Sequence, residues 1–373
     1  MKALLLCLAA GLALTAVAGA AGPPAVTARA VLVQNGANGD VLVRQNASQE
    51  LPIASITKLM TVLVALDRAE LDDVVTVAAE ATVAGGSSIY LRAGEQLTVR
   101  ELVEAALIQS ANDAAYALAL HVGGSEERFV SLMNGRARRL GLRDTHFVRP
   151  DGLDVAGHVS SARDVTALAR VAMQNPVVRA VVRRSSAQIS GGRVLHGWND
   201  LLASGLGVIG VKTGHTSAAG WSQVAAARGP GVTIYATLLG SPTRARRNAD
   251  LAALLRWGLA RYRSAALVER GRVYGRVRTD YGRGPIALVA ARPLVRVVRI
   301  DRALTERVTV ASEVALPVER GQRLGEVRVY DGRRLLGRRA LVAGRSVPRP
   351  SFAGRVSWYS GEAVERAWDW VTP

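Results

Sequence analysis

The 373-residue chain has a single cysteine and only three lysines. The cysteine, Cys7, lies in an apolar N-terminal stretch. Beyond that stretch the chain can form no disulfide, no thiolate nucleophile and no cysteine-ligated metal site. The five histidines, His121, His146, His158, His196 and His215, include no His-x-x-x-His pair, and no Gly-x-Ser-x-Gly elbow occurs. A zinc helix and a Ser-His-Asp hydrolase of the elbow type are therefore excluded. Neither a metal nor a cofactor is expected. Most of these histidines read as surface or satisfied core residues, with His215 set apart by its neighbours.

The scarcity of lysine is itself informative. Of 48 Lys plus Arg residues, 45 are arginine. Lys2 belongs to the N-terminal leader, whereas Lys58 ends Ser55-Ile56-Thr57-Lys58 and Lys212 opens Lys212-Thr213-Gly214. A guanidinium stays charged in proteins, but an amine can lose its proton and act as a base. Between the two lysines stands Ser110-Ala111-Asn112. Each triplet is commonplace alone, but the ordered set points to a serine nucleophile served by a lysine base.

At 49% apolar and 21% charged residues the chain is an ordinary globular one, long enough for a large core and a second domain. Its start, Met1-Lys2 followed by Ala3 to Leu14 and then Ala16, Ala18, Ala20 and Ala21, reads as a secretory signal peptide over residues 1–20. Gly22-Pro23-Pro24 breaks the stretch too early for a comfortable membrane span, and an uncleaved anchor is the competing reading. Cys7 precedes a completed apolar region, so lipid attachment there is not expected. The protein is read as exported, to a periplasm or the outer face of the cytoplasmic membrane.

Local patterns place the motifs. Ala30 to Val33 and Val41 to Val43 flank the Gly-rich Asn35 to Asp40, predicting a hairpin. After Pro52 the run Ile53 to Val64 is apolar nearly all round, as for a helix buried on every side. Ser55 falls in its first turn, and Lys58 shares a face with it. A second helix is expected from Thr98 to Ile108, leading into Ser110 and Asn112, whose alternative reading is an ordinary helix cap. Three strands follow from Gly205 to Leu239, with Lys212 on the first; such an edge strand can align an extended peptide and hold its terminal carboxylate through Lys212 and Thr213. A solvated strand end is the other reading of Lys212.

With these residues in place, the stretch from about Ala30 to Tyr262 resembles the D-alanyl-D-alanine carboxypeptidases, low-molecular-mass penicillin-binding serine peptidases. The likeness extends through Pro52 to Thr61, Gln109 to Ala114, Ser160 to Asp164 and Lys212 to Thr216. It implies an α/β fold of the penicillin-binding and β-lactamase type: a five-stranded antiparallel sheet with helices on both faces, over residues 26–263. It also implies Ser55 as nucleophile, Lys58 as base, Ser110 as proton relay and Asn112 as substrate-positioning amide. The oxyanion hole would be the backbone N–H groups of Ser55 and His215, beside Gly214. Arg247 matches an arginine that helps hold the substrate carboxylate, its competing reading being one more surface arginine. The implied partners are a peptidoglycan stem peptide ending in D-Ala-D-Ala and β-lactam antibiotics.

Departures and alternatives remain visible. Upstream of Lys212 relatives of this family often carry Asn-x-Asn-x-Leu-Leu with a basic residue inside, where this chain has His196-Gly197-Trp198-Asn199-Asp200-Leu201-Leu202. That basic contact is missing from the motif. A serine β-lactamase of class A would need a Glu between Ser110 and Lys212, but none occurs between Glu127 and Glu269. The antibiotic acyl-enzyme should therefore be long-lived. A DD-endopeptidase and a non-catalytic wall-binding relative are the other functions carried.

Residues 264–348 read as a small all-β domain, with Asp331-Gly332 as a hairpin turn. They hold 18 arginines against eight acidic residues. An exported chain with 5% aromatics and no nucleic-acid motif is expected to meet anionic lipid headgroups or wall polymers rather than nucleic acid. Residues 349–373 form a tail. A helix from about Glu362 would align Val364, Ala367, Trp368 and Val371 as a membrane-surface stripe, resembling the C-terminal helix of the family, with packing of the tail against the β-domain as the competing reading.

Overall fold

The computed structural model describes residues 5–10 and 22–360. Most of the leader and the stripe Val364, Ala367, Trp368 and Val371 lie outside the described residues. The chain divides into two compact units, one over 21–261 and one of 1–20 with 262–373.

The first unit is built on a five-stranded antiparallel sheet. Its order is Val41–Gln45, Ala30–Asn35, Val232–Ser241, Gly220–Gly229, Val208–Thr216. The hairpin expected near the N-terminus and the three later strands thus meet in one sheet, and the strand carrying Lys212 lies at its edge. Alternate side chains of Val232–Ser241 serve opposite faces, as strand geometry requires. Thr237 bonds Thr166 at 2.7 Å on the helix Ala162–Ala172. Ile234 meets Gly258 of the helix Arg244–Ala260, where a Cβ would come within 3.2 Å of Ile234 Cγ2. Helices therefore cover both faces.

The helix Lys58–Leu66 is buried along Lys58 to Ala65 and is enclosed by the helices Asn112–Gly123, Glu126–Arg139 and Ala162–Ala172. This is why its sequence lacks a polar face. Thr98 does start a helix, Val99–Glu104, through a reciprocal capping box with Glu101. That helix passes into a π turn, Ala105–Gln109, before Ser110. Single π turns of this kind occur often at functional sites.

The second unit pairs Tyr262–Val268 with Leu294–Arg299 and stacks its remaining strands into a sheet. Arg323–Asp331 and Arg334–Ala343 form the hairpin expected at Asp331-Gly332, with Gly332 at φ +57°. Their buried faces join Val277, Leu288, Val308, Val327 and Leu341 in a separate core. Within the leader, Leu5–Ala10 runs antiparallel to Leu304–Ala311 along one edge of this sheet.

The loop after Pro150 supports the start of the serine helix. Gly152 has φ +85°, and a Cβ there would fall on the carbonyl oxygen of Ala54 and 2.7 Å from Thr57 Oγ1. Gly152→Ala should therefore strain the backbone and push the Ser55 turn aside. Loss of about 2 kcal/mol or more is expected from such a site in urea unfolding, together with slower acylation of Ser55. Wild-type stability in that variant would contradict the close approach.

Candidate active site

Ser55 lies on a 3-10 turn, Ala54–Thr57, that leads directly into the buried helix. The residue before it, Ala54, has φ +48°. A non-glycine residue in the left-handed region costs about 1 to 3 kcal/mol unless its surroundings impose it. Two glycines do so: Gly152 on one side and Gly214 on the other, where a Cβ would lie 2.7 Å from the Ile53 carbonyl. Backbone contact at Gly214 brings the edge strand, and with it His215, against the serine turn.

Lys58 is completely buried. Its Nζ donates to the Asn112 side-chain oxygen at 2.5 Å and to the Asp151 carbonyl at 2.7 Å, and it stands 2.8 Å from Ser55 Oγ. Burial brings the amine down from its ordinary 10.5 to about 7, against the opposing pull of the Asp151 carboxylate. In the neutral form two N–H bonds stay on the two oxygens. The third position, the lone pair, is then aimed at the Ser55 hydroxyl.

Ser110 occupies the junction between the π turn and the next helix at φ +66°, again in the left-handed region. Lys212 Nζ, 2% exposed, donates to Ser110 Oγ at 2.8 Å and to the Thr213 carbonyl at 3.0 Å. Burial holds this second amine well below the ordinary range, and the nearby Lys58 and Arg247 push it the same way. An anion entering beside it would restore its charge. Asn112 is not an ordinary cap, since its amide also donates to the Gly85 carbonyl and so pins the 85–91 loop.

A cavity of about 240 Å³ opens over these groups, lined among others by Ser55, Ser110, Thr213, Gly214, His215 and Arg247. Among the described residues no carboxylate lines it. Arg247 is 1% exposed and so is not one more surface arginine. Burial lowers its guanidinium to about 10, and it is held by Asn248 Oδ1 at 2.7 Å and by Asp200 at 3.5 Å. A larger hollow of about 430 Å³ beside Arg179 and Tyr235 contains none of the three triplets. Chemistry rather than size selects the smaller one.

Residues 17–243 match the family model described as D-alanyl-D-alanine carboxypeptidase. The chain belongs to the D-alanyl-D-alanine carboxypeptidase family. Residues 262–349 match a model described as the C-terminal domain of penicillin-binding protein 5. A Salmonella typhimurium D-alanyl-D-alanine carboxypeptidase, DacD, is 31% identical over 93% of each chain. Escherichia coli DacC is 32% identical over 89% of this chain and 87% of its own. Among solved structures, Escherichia coli penicillin-binding protein 6B superposes with TM-score 0.67 at 28% identity, covering 88% of this chain and 98% of that one.

In this member of the carboxypeptidase family the structure gathers all nine residues singled out by sequence: Ser55, Lys58, Ser110, Asn112, Lys212, Thr213, Gly214, His215 and Arg247. It also adds residues that sequence reading missed. Trp198 and Arg244 line the cavity, with the Arg244 guanidinium 5.4 Å from the Trp198 ring centre. A basic side chain from the start of the helix Arg244–Ala260 thus stands beside the 196–202 segment, paired with Asp200. Trp221 stacks on His215 at 3.9 Å. Asp154 accepts from Thr216 Oγ1 at 2.6 Å, tying the loop after Pro150 to the edge strand. Buried His158 receives the Val148 N–H at Nδ1, so Nε2 carries the proton and donates to Thr57 at 2.8 Å. Burial lowers this imidazole to about 4, which keeps it neutral.

Asp151 itself is fully buried and paired through both oxygens with Arg149, at 2.5 and 2.9 Å. Its charge raises the Lys58 amine, whereas that of Arg149 lowers it. If neutral Lys58 is the active form, acylation rises with pH through about 7. Asp151→Asn removes the raising charge and leaves the lowering one, so the acid limb should move to lower pH. Acylation rates of the variant measured across pH 5 to 9 check this, and a limb that moves up or stays in place would refute it.

Proposed function

We propose that the protein is a serine D-Ala-D-Ala carboxypeptidase that removes the terminal D-alanine of peptidoglycan stem peptides and is acylated by penicillins. The observation that carries this reading is the buried Lys58 amine, fixed by two carbonyl-type acceptors and held 2.8 Å from Ser55 Oγ. Lys58 takes the Ser55 proton as Oγ attacks the carbonyl between the two D-alanines. The backbone N–H groups of Ser55 and His215 hold the oxyanion. As the C–N bond breaks, Ser110 relays to the leaving amine the proton that Lys58 took from Ser55, which returns Lys58 to its neutral form. Water then enters, Lys58 takes its proton, and the serine ester is hydrolysed.

Thr213, Lys212 and Arg247 receive the terminal carboxylate. Hydrogen bonds to a charged group are each worth about 1.5 to 3 kcal/mol. That contact suits a substrate with a free carboxylate beside the scissile bond, as a C-terminal D-Ala-D-Ala provides. The absence of a carboxylate from the cavity lining fits a slow release of the penicilloyl ester. The intact triplets argue against a non-catalytic wall-binding relative.

Export through a signal peptide over residues 1–20 and cell-wall work outside the cytoplasm complete the reading. Among the described residues no helix is long and apolar enough to cross a membrane. The helical segment 352–360 packs Trp358 against Tyr281 at 5.4 Å and leaves Phe352, Val356 and Tyr359 exposed. We assign these exposed residues to the membrane-surface contact proposed for the tail.

Ser55→Ala should abolish labelling by fluorescent penicillin, and Lys58→Arg should be nearly as severe although it keeps the charge. Most of the activity surviving in Lys58→Arg would remove the amine base from the mechanism. Amidating the terminal carboxylate of a D-Ala-D-Ala peptide should lower kcat/KM roughly ten- to hundredfold. Equal turnover of acid and amide would refute the carboxylate clamp. Removing residues 352–373 should reduce sedimentation with anionic vesicles, and unchanged sedimentation would rule the tail out as the anchor.

A further inference from the structure

In the second unit, three exposed arginines stand directly opposite one another on adjacent strands. Arg307 of Leu304–Ala311 is in register with Arg328 of Arg323–Asp331, which is in register with Arg338 of Arg334–Ala343. All three alternate with the buried Val308, Val327, Val329 and Leu341, so they share the outer face of the sheet. Side chains so paired have Cβ atoms about 5 Å apart, and like charges in that relation destabilise a sheet. The fold does little to relieve the repulsion. One carboxylate, Glu326, is shared among Arg323 at 3.4 Å, Arg338 at 3.9 Å and Arg328. Arg307 lies over the Tyr330 ring at 5.1 Å.

We infer that this face binds a linear polyanion with a phosphodiester in each repeat, lying across the strands along the arginine row. Four arginines against one glutamate leave the face strongly positive, and a guanidinium fork grips phosphate oxygens in pairs. A straight, registered row suits charges that follow one another along a chain. A bilayer would need apolar contact as well as charge for a stable hold. The row is bordered instead by Thr305, Thr309 and Ala340, with Leu335 exposed only at the hairpin end. The inference is independent of the peptidase reading, which concerns the first unit.

Binding of the full chain to poly(glycerol phosphate) is compared with that of two triple variants. One changes Arg307, Arg328 and Arg338 to Ala; the other changes the exposed turn arginines Arg270, Arg283 and Arg292, removing equal charge from the same unit. The row variant should bind at least roughly tenfold more weakly at ~0.1 M salt, with a salt slope shallower by about two. The turn variant should change less than about threefold. Phosphatidylglycerol vesicles should bind both variants alike. Equal loss of polymer binding in the two triples would reduce the row to bulk charge and overturn the inference. Selective loss of vesicle binding in the row variant would also overturn it, by making the face a lipid surface. If the triple variant fails to fold, Arg307→Gln with Arg338→Gln removes both flanks of the row and tests the same prediction.

Discussion

Burial of one amine governs the catalytic unit. Lys58 can serve as a base near neutrality because water is withheld from it, and that requires a helix enclosed on all sides. The enclosure explains the mostly apolar run from Leu59 to Ala65 and the three surrounding helices. It also explains the carbonyl groups of Asn112 and Asp151, since a buried amine must have acceptors for its N–H bonds. The Asp151–Arg149 pair lies beneath that contact with both charges matched, and so adjusts the amine without presenting a carboxylate to the cavity.

The same constraint accounts for where the backbone is strained. Ala54 and Ser110 both adopt left-handed conformations, each next to a catalytic side chain or part of one. Close packing at Gly152 and Gly214 fixes the first, and the π turn before Ser110 delivers the second. Strain of this size persists only where neighbouring structure over-determines it. Here that structure is the contact between the edge strand and the serine turn, reinforced by Asp154 and Thr216. Ser55, Ser110 and the Lys212–Thr213 pair come from three separate stretches of chain, so their alignment depends on these backbone contacts.

The two units handle charge in opposite ways. In the first, Lys212 and Arg247 are buried, and burial lowers the basicity of both. In the second, cations are lined up on an exposed sheet face where solvent screens them. Arginine suits the exposed role because it never loses its charge. The two lysines among the described residues are buried, where an amine can lose its proton.

Much was legible in the sequence because it depends on local spacing. Ser55 and Lys58 share a helix face, Thr98 and Glu101 form a capping box, and Asp331-Gly332 turns a hairpin; each needs only a few neighbouring residues. The order of the three triplets, with lysine so rare, fixed the chemistry. Other features arise only when distant segments meet. Arg244 meets Asp200 across 44 positions of chain and so comes to line the cavity. Arg247 is 1% exposed in a chain with 45 arginines, and nothing local marks it. The depressed basicity of Lys58 and Lys212 follows from solvent exclusion, which no spacing encodes. The arginine row exists only through strand register, which turns three scattered charges into one line. Local propensity and residue chemistry could be read along the chain; burial, register and the convergence of separate loops belong to the tertiary structure, because they depend on which segments exclude water from one another.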